Sequence, residues 1–229
     1  MEPENQGKTL WEMLTERLHG SGNGAGIVFA NPLDLRVGSS VAVAYANGPE
    51  FADYSFTVLE ICEYTRRIQG QEFRFTDYVL RGVNTKAPDA DNVMMTRVRV
   101  VPNQAGANDA LLLRVCDEFE FAEDFLAVVK DTTGLFKVTD DKSGAEATFS
   151  RINDVRDSYQ AAVLVVEGTT PDGKGAPGKV SPAKVEYWDY WRDADLGAGK
   201  TAKEFVFVEM NSDTGWFQIL RGREFWGEG

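Results

Sequence analysis

Apolar and polar residues alternate with a period of two through most of this chain, and this pattern limits the folds open to it. Such segments are typical of consecutive antiparallel strands when they are rich in β-branched and aromatic residues and end at Gly, Pro, Asn or Asp. In the first half of the chain they are residues 41–46, 53–64, 71–80, 93–101 and 111–116.

The alternation also gives two arginines an expected position. Arg97 and Arg99 alternate with Val98 and Val100, as in an antiparallel sheet with one face on the core and the other in water. We therefore expect both arginines to face solvent.

Strand patterns continue in the second half, at residues 159–168, 184–191, 203–210 and 215–225. The turn sequences DTTG and DDKSG predict hairpins with strands near 135–139 and 146–152, whereas residues 125–129 fit either a helical turn or another strand. At 229 residues the chain can bury a substantial core without metals or disulfides. We predict a mainly β protein of antiparallel barrel-like or sandwich-like sheets, with a short N-terminal helix.

The N-terminal helix is predicted at residues 9–19. Thr9 and Glu12 have the spacing of a capping box, and Gly20 suits a left-handed helix end. Its apolar stripe consists of Leu10, Trp11, Leu14 and Leu18. The predicted organisation is therefore a helix and glycine-rich tether at residues 1–28 and a β-rich body at 29–229, with a long polar loop at 168–182.

Three short motifs recur in the same order in the two halves of the body. EYTRR, EFRF and LRG begin at residues 63, 72 and 80, and DYWR, EFVF and LRG begin at residues 189, 204 and 220. Recurrence in order suggests a duplicated sheet unit, and hence two pseudo-repeat lobes.

The stretch HGSGNGAG at residues 19–26 fits a relaxed dinucleotide-binding pattern. That motif must follow a strand and open a helix, so that the phosphates meet the helix N-terminus. Here the order is reversed, because the predicted helix ends at Gly20. We interpret the stretch as a helix cap followed by a flexible tether, and no cofactor is predicted.

The residue inventory excludes several classes of function. A net charge of −12 disfavours binding along a phosphate backbone, so no nucleic acid partner is expected. His19 is the only histidine, and neither Cys-x-x-Cys nor His-Glu-x-x-His occurs. The sequence therefore predicts no metal site and selects no catalytic residue.

Carboxylates and cysteines add little to this inventory. The acidic cluster at residues 117–124 could hold a cation or a basic partner, but a solvated face is the favoured interpretation. The spacing of Asp193, Asp195 and Glu204 resembles a calcium loop without its required glycine. Cys62 and Cys116 each lie in an apolar stretch and are expected to be buried small side chains; the sequence leaves open whether they pair.

The most unusual side-chain grouping is YWDYW at residues 187–191. On a strand, Tyr187 and Trp191 share one face, and Trp188 and Tyr190 share the other. Either these side chains belong to the core, or they form an aromatic recognition surface for a sugar, a peptide or another subunit.

Several stretches together resemble a known family. They are NPLDLRVGSSVAV, LFKVTDDKSGAEATFSRI, EYWDYW and EFVFVEM, with an aromatic strand pair after the first. Their order resembles bacterial proteins of unknown function encoded beside phage-shock-protein-A-like membrane-remodelling proteins, over most of residues 31–225. The resemblance implies a non-catalytic accessory role in membrane maintenance or envelope stress, with protein partners. The N-terminal helix and glycine tether depart from that family.

Two functions follow as hypotheses. The first is a non-catalytic, cytoplasmic interaction protein, with no membrane span and with a membrane-associated remodelling protein as its partner. Its contact residues would be Trp11, Leu14 and Leu18 on the helix, and Tyr187, Trp188, Tyr190 and Trp191 on the aromatic strand. The alternative is a small-ligand or carbohydrate-binding β protein, with or without carboxylate-based hydrolysis. It requires a concave pocket with aromatic walls and acidic residues at its mouth.

Overall fold

The computed structural model describes residues 35–42, 49–51, 53–68, 71–87, 93–102, 108–139, 144–152, 159–168, 183–195 and 201–224. The predicted helix at residues 9–19, with Trp11, Leu14 and Leu18, lies outside the described residues. So do the glycine-rich stretch and all but the first residue of the predicted loop at 168–182.

The described residues form eleven strands, one short 3₁₀ helix and one α-helix. In chain order these elements are β1 (Ser40–Ala42), the 3₁₀ helix (Pro49–Phe51), β2 (Tyr54–Ile68), β3 (Gln71–Asn84), β4 (Val93–Pro102), β5 (Asn108–Phe119), α1 (Glu123–Val129), β6 (Leu135–Thr139), β7 (Glu146–Arg151), β8 (Tyr159–Gly168), β9 (Ala183–Asp195), β10 (Thr201–Asn211) and β11 (Phe217–Glu224).

The prediction of a mainly antiparallel β protein is confirmed. Every strand pair is antiparallel, and all eleven strands belong to one sheet. The predicted hairpin at 135–139 and 146–152 is β6 and β7, and the ambiguous residues 125–129 belong to α1. No helix in the described part of the chain is both long and apolar enough to cross a membrane.

Eight of the strands pair in a ring, in the order β2, β3, β4, β5, β11, β10, β9 and β8, after which β8 pairs with β2 again. Strand β8 completes this ring because its residues Ala161–Gly168 pair with β2 and its residues Tyr159–Val163 pair with β9. The long strands β2 and β9 each continue past β8. There β1 pairs with β2, and β7 pairs with β9.

The outer face of the ring carries two apolar clusters. One lies on β2, β3 and β4 and includes Phe56, Leu80 and Val98, with Val41 and Phe51 packed on it. The other lies on β9, β10 and β11, where α1 and the β6–β7 hairpin cover it. Burial of these faces fixes the strand register, because a slip of one residue would turn every side chain to the opposite face.

The recurring motifs fall on corresponding hairpins only in part. EYTRR and EFRF lie on the paired strands β2 and β3, and DYWR and EFVF lie on the paired strands β9 and β10. The first LRG, however, is on β3, on the same strand as EFRF, whereas the second is on β11. A duplicated unit stays a prediction.

Candidate functional site

The centre of the ring's interior is polar, and it contains two arginines that the sequence predicted to face solvent. Arg97 and Arg99 on β4 are directed inward, and Arg99 is only 4% exposed. The expectation that they face water is wrong. The alternation itself is correct, but the sheet closes on itself, so its polar face lines the inside of the ring. Val98 and Val100 are buried on the outside.

Arg99 is held by two carboxylates. Its Nε and Nη2 donate to the two oxygens of Asp77 on β3, each at 2.8 Å, and Nη2 also donates to Oε1 of Glu209 at 2.6 Å. The guanidinium lies over the rings of Phe75 and Phe207, at 4.5 and 4.8 Å from their centres. Such a fork of charge-assisted hydrogen bonds fixes both position and orientation.

Arg97 connects its own strand, β4, to four others. Its Nη1 donates to Oε2 of Glu209 on β10 at 2.7 Å, to the hydroxyl of Tyr64 on β2 at 2.9 Å, and to Oδ2 of Asp77 at 3.2 Å. Its Nη2 donates to Oε1 of Gln218 on β11. We call Tyr64, Asp77, Arg97, Arg99 and Glu209 the charge network.

The electrostatics of the network keep its groups charged. Burial alone would raise the pKa of Glu209, but the guanidinium groups of Arg97 and Arg99 hold that pKa below its ordinary value of 4.5. Burial alone would lower the pKa of Arg97, but Glu209, Tyr64 and Asp77 keep it above its ordinary value. Burial raises the pKa of Tyr64, so its hydroxyl keeps its proton.

A second buried ion pair lies deeper in the ring. Both Nη atoms of Arg66 on β2 donate to Oδ2 of Asp189 on β9, at 3.2 Å, and the guanidinium lies 4.5 Å from the ring centre of Tyr187. Oδ1 of Asp189 has no hydrogen-bond partner in the described part of the chain. Burial raises the pKa of Asp189, although the charge of Arg66 opposes this shift.

A cavity of about 470 Å³ lies at one end of the ring. All eight ring strands contribute to its lining. The charge network closes it on the inner side, where Tyr64 and Glu209 line the cavity and both accept hydrogen bonds from Arg97. Its walls are mostly apolar, and this part of the lining consists of Cys62, Val79, Met95, Val115, Val163, Val185 and Phe217.

The mouth of the cavity is marked by exposed residues of its lining. Glu118 on β5 and Thr214 and Trp216 in the turn between β10 and β11 are exposed. The turn is fixed by local bonds: the amide of Asn211 donates to the carbonyl of Trp216 at 2.9 Å, and that of Gly215 to the carbonyl of Asn211 at 2.7 Å. A tryptophan that is 42% exposed therefore stands at the rim on a defined turn.

The two cysteines differ in their exposure to solvent. Cys62 is buried in the cavity wall, and burial together with the charges of Asp77 and Glu60 raises its pKa to about 12. Cys116 is exposed, so the expectation that both cysteines are buried is wrong for it. Both are free thiols.

The aromatic strand at residues 187–191 is mostly core. Tyr187 packs inside the ring, and Trp188 and Tyr190 pack under α1 and the β6–β7 hairpin, each no more than 2% exposed. Trp191 is half-buried, with Nζ of Lys203 3.2 Å from its ring centre. The core interpretation therefore describes Tyr187, Trp188 and Tyr190.

Neither the acidic cluster at residues 117–124 nor the calcium-like spacing at residues 193–204 forms a cation site among the described residues. Asp117, Glu118, Glu120, Glu123 and Asp124 are all exposed, which agrees with a solvated acidic face. Glu204 is buried and bonds Arg192 and Arg221, whereas Asp193 and Asp195 are exposed. Among the residues that the structure describes, no group of three or more acidic, cysteine or histidine side chains could hold a metal ion.

Comparison with protein-family models, curated protein sequences and solved structures gave no match. The resemblance to the membrane-maintenance family and the accessory role that it implies stay predictions. The contact helix proposed for that role lies outside the described residues.

Sequence reasoning did not select the residues of the cavity. One signal was present in the sequence: Glu209 is the only charged residue within the apolar run at residues 205–210. A lone carboxylate in such a strand must have a buried partner or a functional role. Glu60, Cys62 and Tyr64 carry no comparable signal, because alternating charges are ordinary on an exposed strand.

Proposed function

We propose that this protein binds a small organic molecule in the cavity at the end of the ring. The observation that carries this proposal is the cavity itself, about 470 Å³ in volume and lined by all eight ring strands. Binding sites for small molecules have volumes of about 300–1,000 Å³, with mostly apolar walls and a few fixed polar groups.

The rigidity of the site supports binding. Arg97, Tyr64, Glu209 and Gln218 hold one another in place on four different strands. Polar groups that are already positioned lose little freedom when a ligand arrives, which favours affinity. Exposed Trp216 at the mouth offers a large, stiff contact surface.

The carboxylate that is fixed at the inner end of the cavity does not suit the acid role in hydrolysis. A carboxylate pair that hydrolyses a glycosidic bond needs one member with a raised pKa to act as the acid. Glu209, the carboxylate fixed at the inner end of the cavity, has its pKa lowered by two arginines. It stays ionised and has both oxygens occupied.

A cavity-filling variant tests this proposal. Val79→Phe adds a ring to the cavity wall, while Val128→Phe makes the same change on exposed α1 and serves as the control. Three probes with the same apolar body, phenylbutanol, phenylbutylamine and phenylbutyrate, are titrated into each protein by calorimetry.

We expect at least one probe to bind the unaltered protein and Val128→Phe alike, and to bind Val79→Phe more weakly by about tenfold or more. The proposal fails if none of the three probes binds, or if Val79→Phe binds them as the unaltered protein does.

A further inference from the structure

The charges around the cavity do not balance. Among the described residues, four charged side chains line it: Glu60, Glu118, Glu209 and Arg97. Three of them are carboxylates and one is a guanidinium, so the described part of the lining has a net charge of −2. Behind the lining, Arg99 and Asp77 form a pair that adds no net charge.

The positive charge of Arg97 is already compensated. Its Nη1 is 2.7 Å from Glu209 and 3.2 Å from Asp77, and its Nη2 donates to Gln218. A ligand carboxylate would have to compete with two protein carboxylates for this guanidinium. The cavity therefore disfavours an anion.

The other two carboxylates of the lining, Glu60 and Glu118, have no ion-pair partner in the part of the chain that the structure describes. Glu118 accepts one hydrogen bond, from Nε2 of Gln218 at 3.3 Å. Glu60 lines the cavity on β2 together with Cys62 and Tyr64.

The aromatic part of the lining suits the same type of ligand. Trp216, which lines the cavity at its mouth, is 42% exposed. The faces of aromatic rings attract cations, tryptophan most strongly. The valines and Met95 of the walls offer contact to an apolar body.

We propose that the ligand of this cavity is an organic cation, with an amine paired to Glu60 or Glu118 and an apolar body between the valine walls. This inference rests on the proposed function, since it names the class of ligand for the same cavity.

The three probes have the same apolar body and differ only in their end group. They therefore test the preference for a cation separately from binding in the cavity. We expect phenylbutylamine to bind the unaltered protein about tenfold more tightly than phenylbutanol, because a hydrogen bond to a charged group contributes more than a neutral one. Phenylbutyrate should bind most weakly. The advantage of the amine should decrease as salt is added, since part of it comes from carboxylates near solvent.

Variants that remove one carboxylate charge show which residue attracts the amine. At least one of Glu60→Gln and Glu118→Gln should reduce the advantage of the amine over the alcohol, by about threefold or more. Glu63→Gln is the matched control: it removes the same charge from the same strand as Glu60, but Glu63 is exposed and does not line the cavity.

Each outcome decides one of the claims. If the alcohol binds as tightly as the amine, or the carboxylate binds best, the cationic ligand is excluded while binding in the cavity stands. If neither Glu60→Gln nor Glu118→Gln weakens amine binding more than Glu63→Gln does, the inference is also overturned. If no probe binds, the proposed function itself fails.

Discussion

Replacing Glu209 by alanine should lower the free energy of unfolding by about 3–5 kcal/mol, the cost of breaking a buried ion pair on one side. Glu209 is 6% exposed and accepts hydrogen bonds from both Arg97 and Arg99. Without it, two guanidinium groups inside the ring would share the single carboxylate of Asp77. The remaining positive charge is desolvated and unpaired.

Urea unfolding at neutral pH measures this loss, with Glu63→Ala on the outer face of β2 as the control. If Glu209→Ala does not fold, Glu209→Gln keeps the shape and removes the charge. A stability loss no larger than that of Glu63→Ala, within about 0.5 kcal/mol, would contradict the charge network.

The same residue gives stability a dependence on pH. Because the folded protein holds the pKa of Glu209 below its ordinary value of 4.5, the charged carboxylate stabilises the fold above about that pH. This stabilisation is lost as pH falls through the lower pKa of the folded state. The difference between unaltered protein and Glu209→Gln should therefore shrink below pH 4.5.

Gly222→Ala should destabilise the protein by about 3 kcal/mol, at the upper end of the cost of overpacking. A Cβ atom at Gly222 would lie 1.8 Å from the carbonyl oxygen of Leu112 and 2.8 Å from the Cα of Leu113. Both contacts are backbone atoms of β5, so no side chain can rotate away. Strands β11 and β5 would have to separate at a closed part of the ring.

Gly144→Ala gives the comparison. Gly144 has φ of 66° and nothing within 4 Å of an added Cβ. Its substitution therefore costs only the strain of an alanine at positive φ, about 1 kcal/mol. Thermal unfolding of both variants measures the difference. Equal losses would contradict the close approach of β11 to β5.

Local sequence patterns predicted the strands, because the signals of a strand lie within the segment itself and in the turn residues at its ends. Residues 71–80 alternate, residues 203–210 are rich in aromatic and β-branched residues, and the two segments lie in β3 and β10. The inward position of Arg97 could not be predicted this way, since alternation separates two faces without saying which one water reaches. The pairing of β8 with both β2 and β9 decides that, and β2 lies about a hundred residues away in sequence.

The glycines of the two LRG motifs are a similar case. The recurrence is visible in the sequence, but what each glycine contacts on the neighbouring strand is not. Gly82 faces the ring of Phe56, where a Cβ would lie 2.5 Å from a ring carbon, and Gly222 meets the backbone of β5. Aromatic strand residues such as Trp188 were ambiguous for the same reason, because α1 and the β6–β7 hairpin that cover them come from elsewhere in the chain.

Methionine methyl signals offer the most direct test of a ligand site inside the ring. Met94 and Met95 are neighbours on β4 with opposite orientations: Met95 lines the cavity, whereas Met94 is buried in the outer cluster, and Met210 packs against the other outer cluster. On titration of methyl-labelled protein with phenylbutylamine, we expect the Met95 signal to shift while those of Met94 and Met210 stay in place. Shifts at Met94 or Met210 as large as that of Met95, or no shift at saturating probe, would contradict the account.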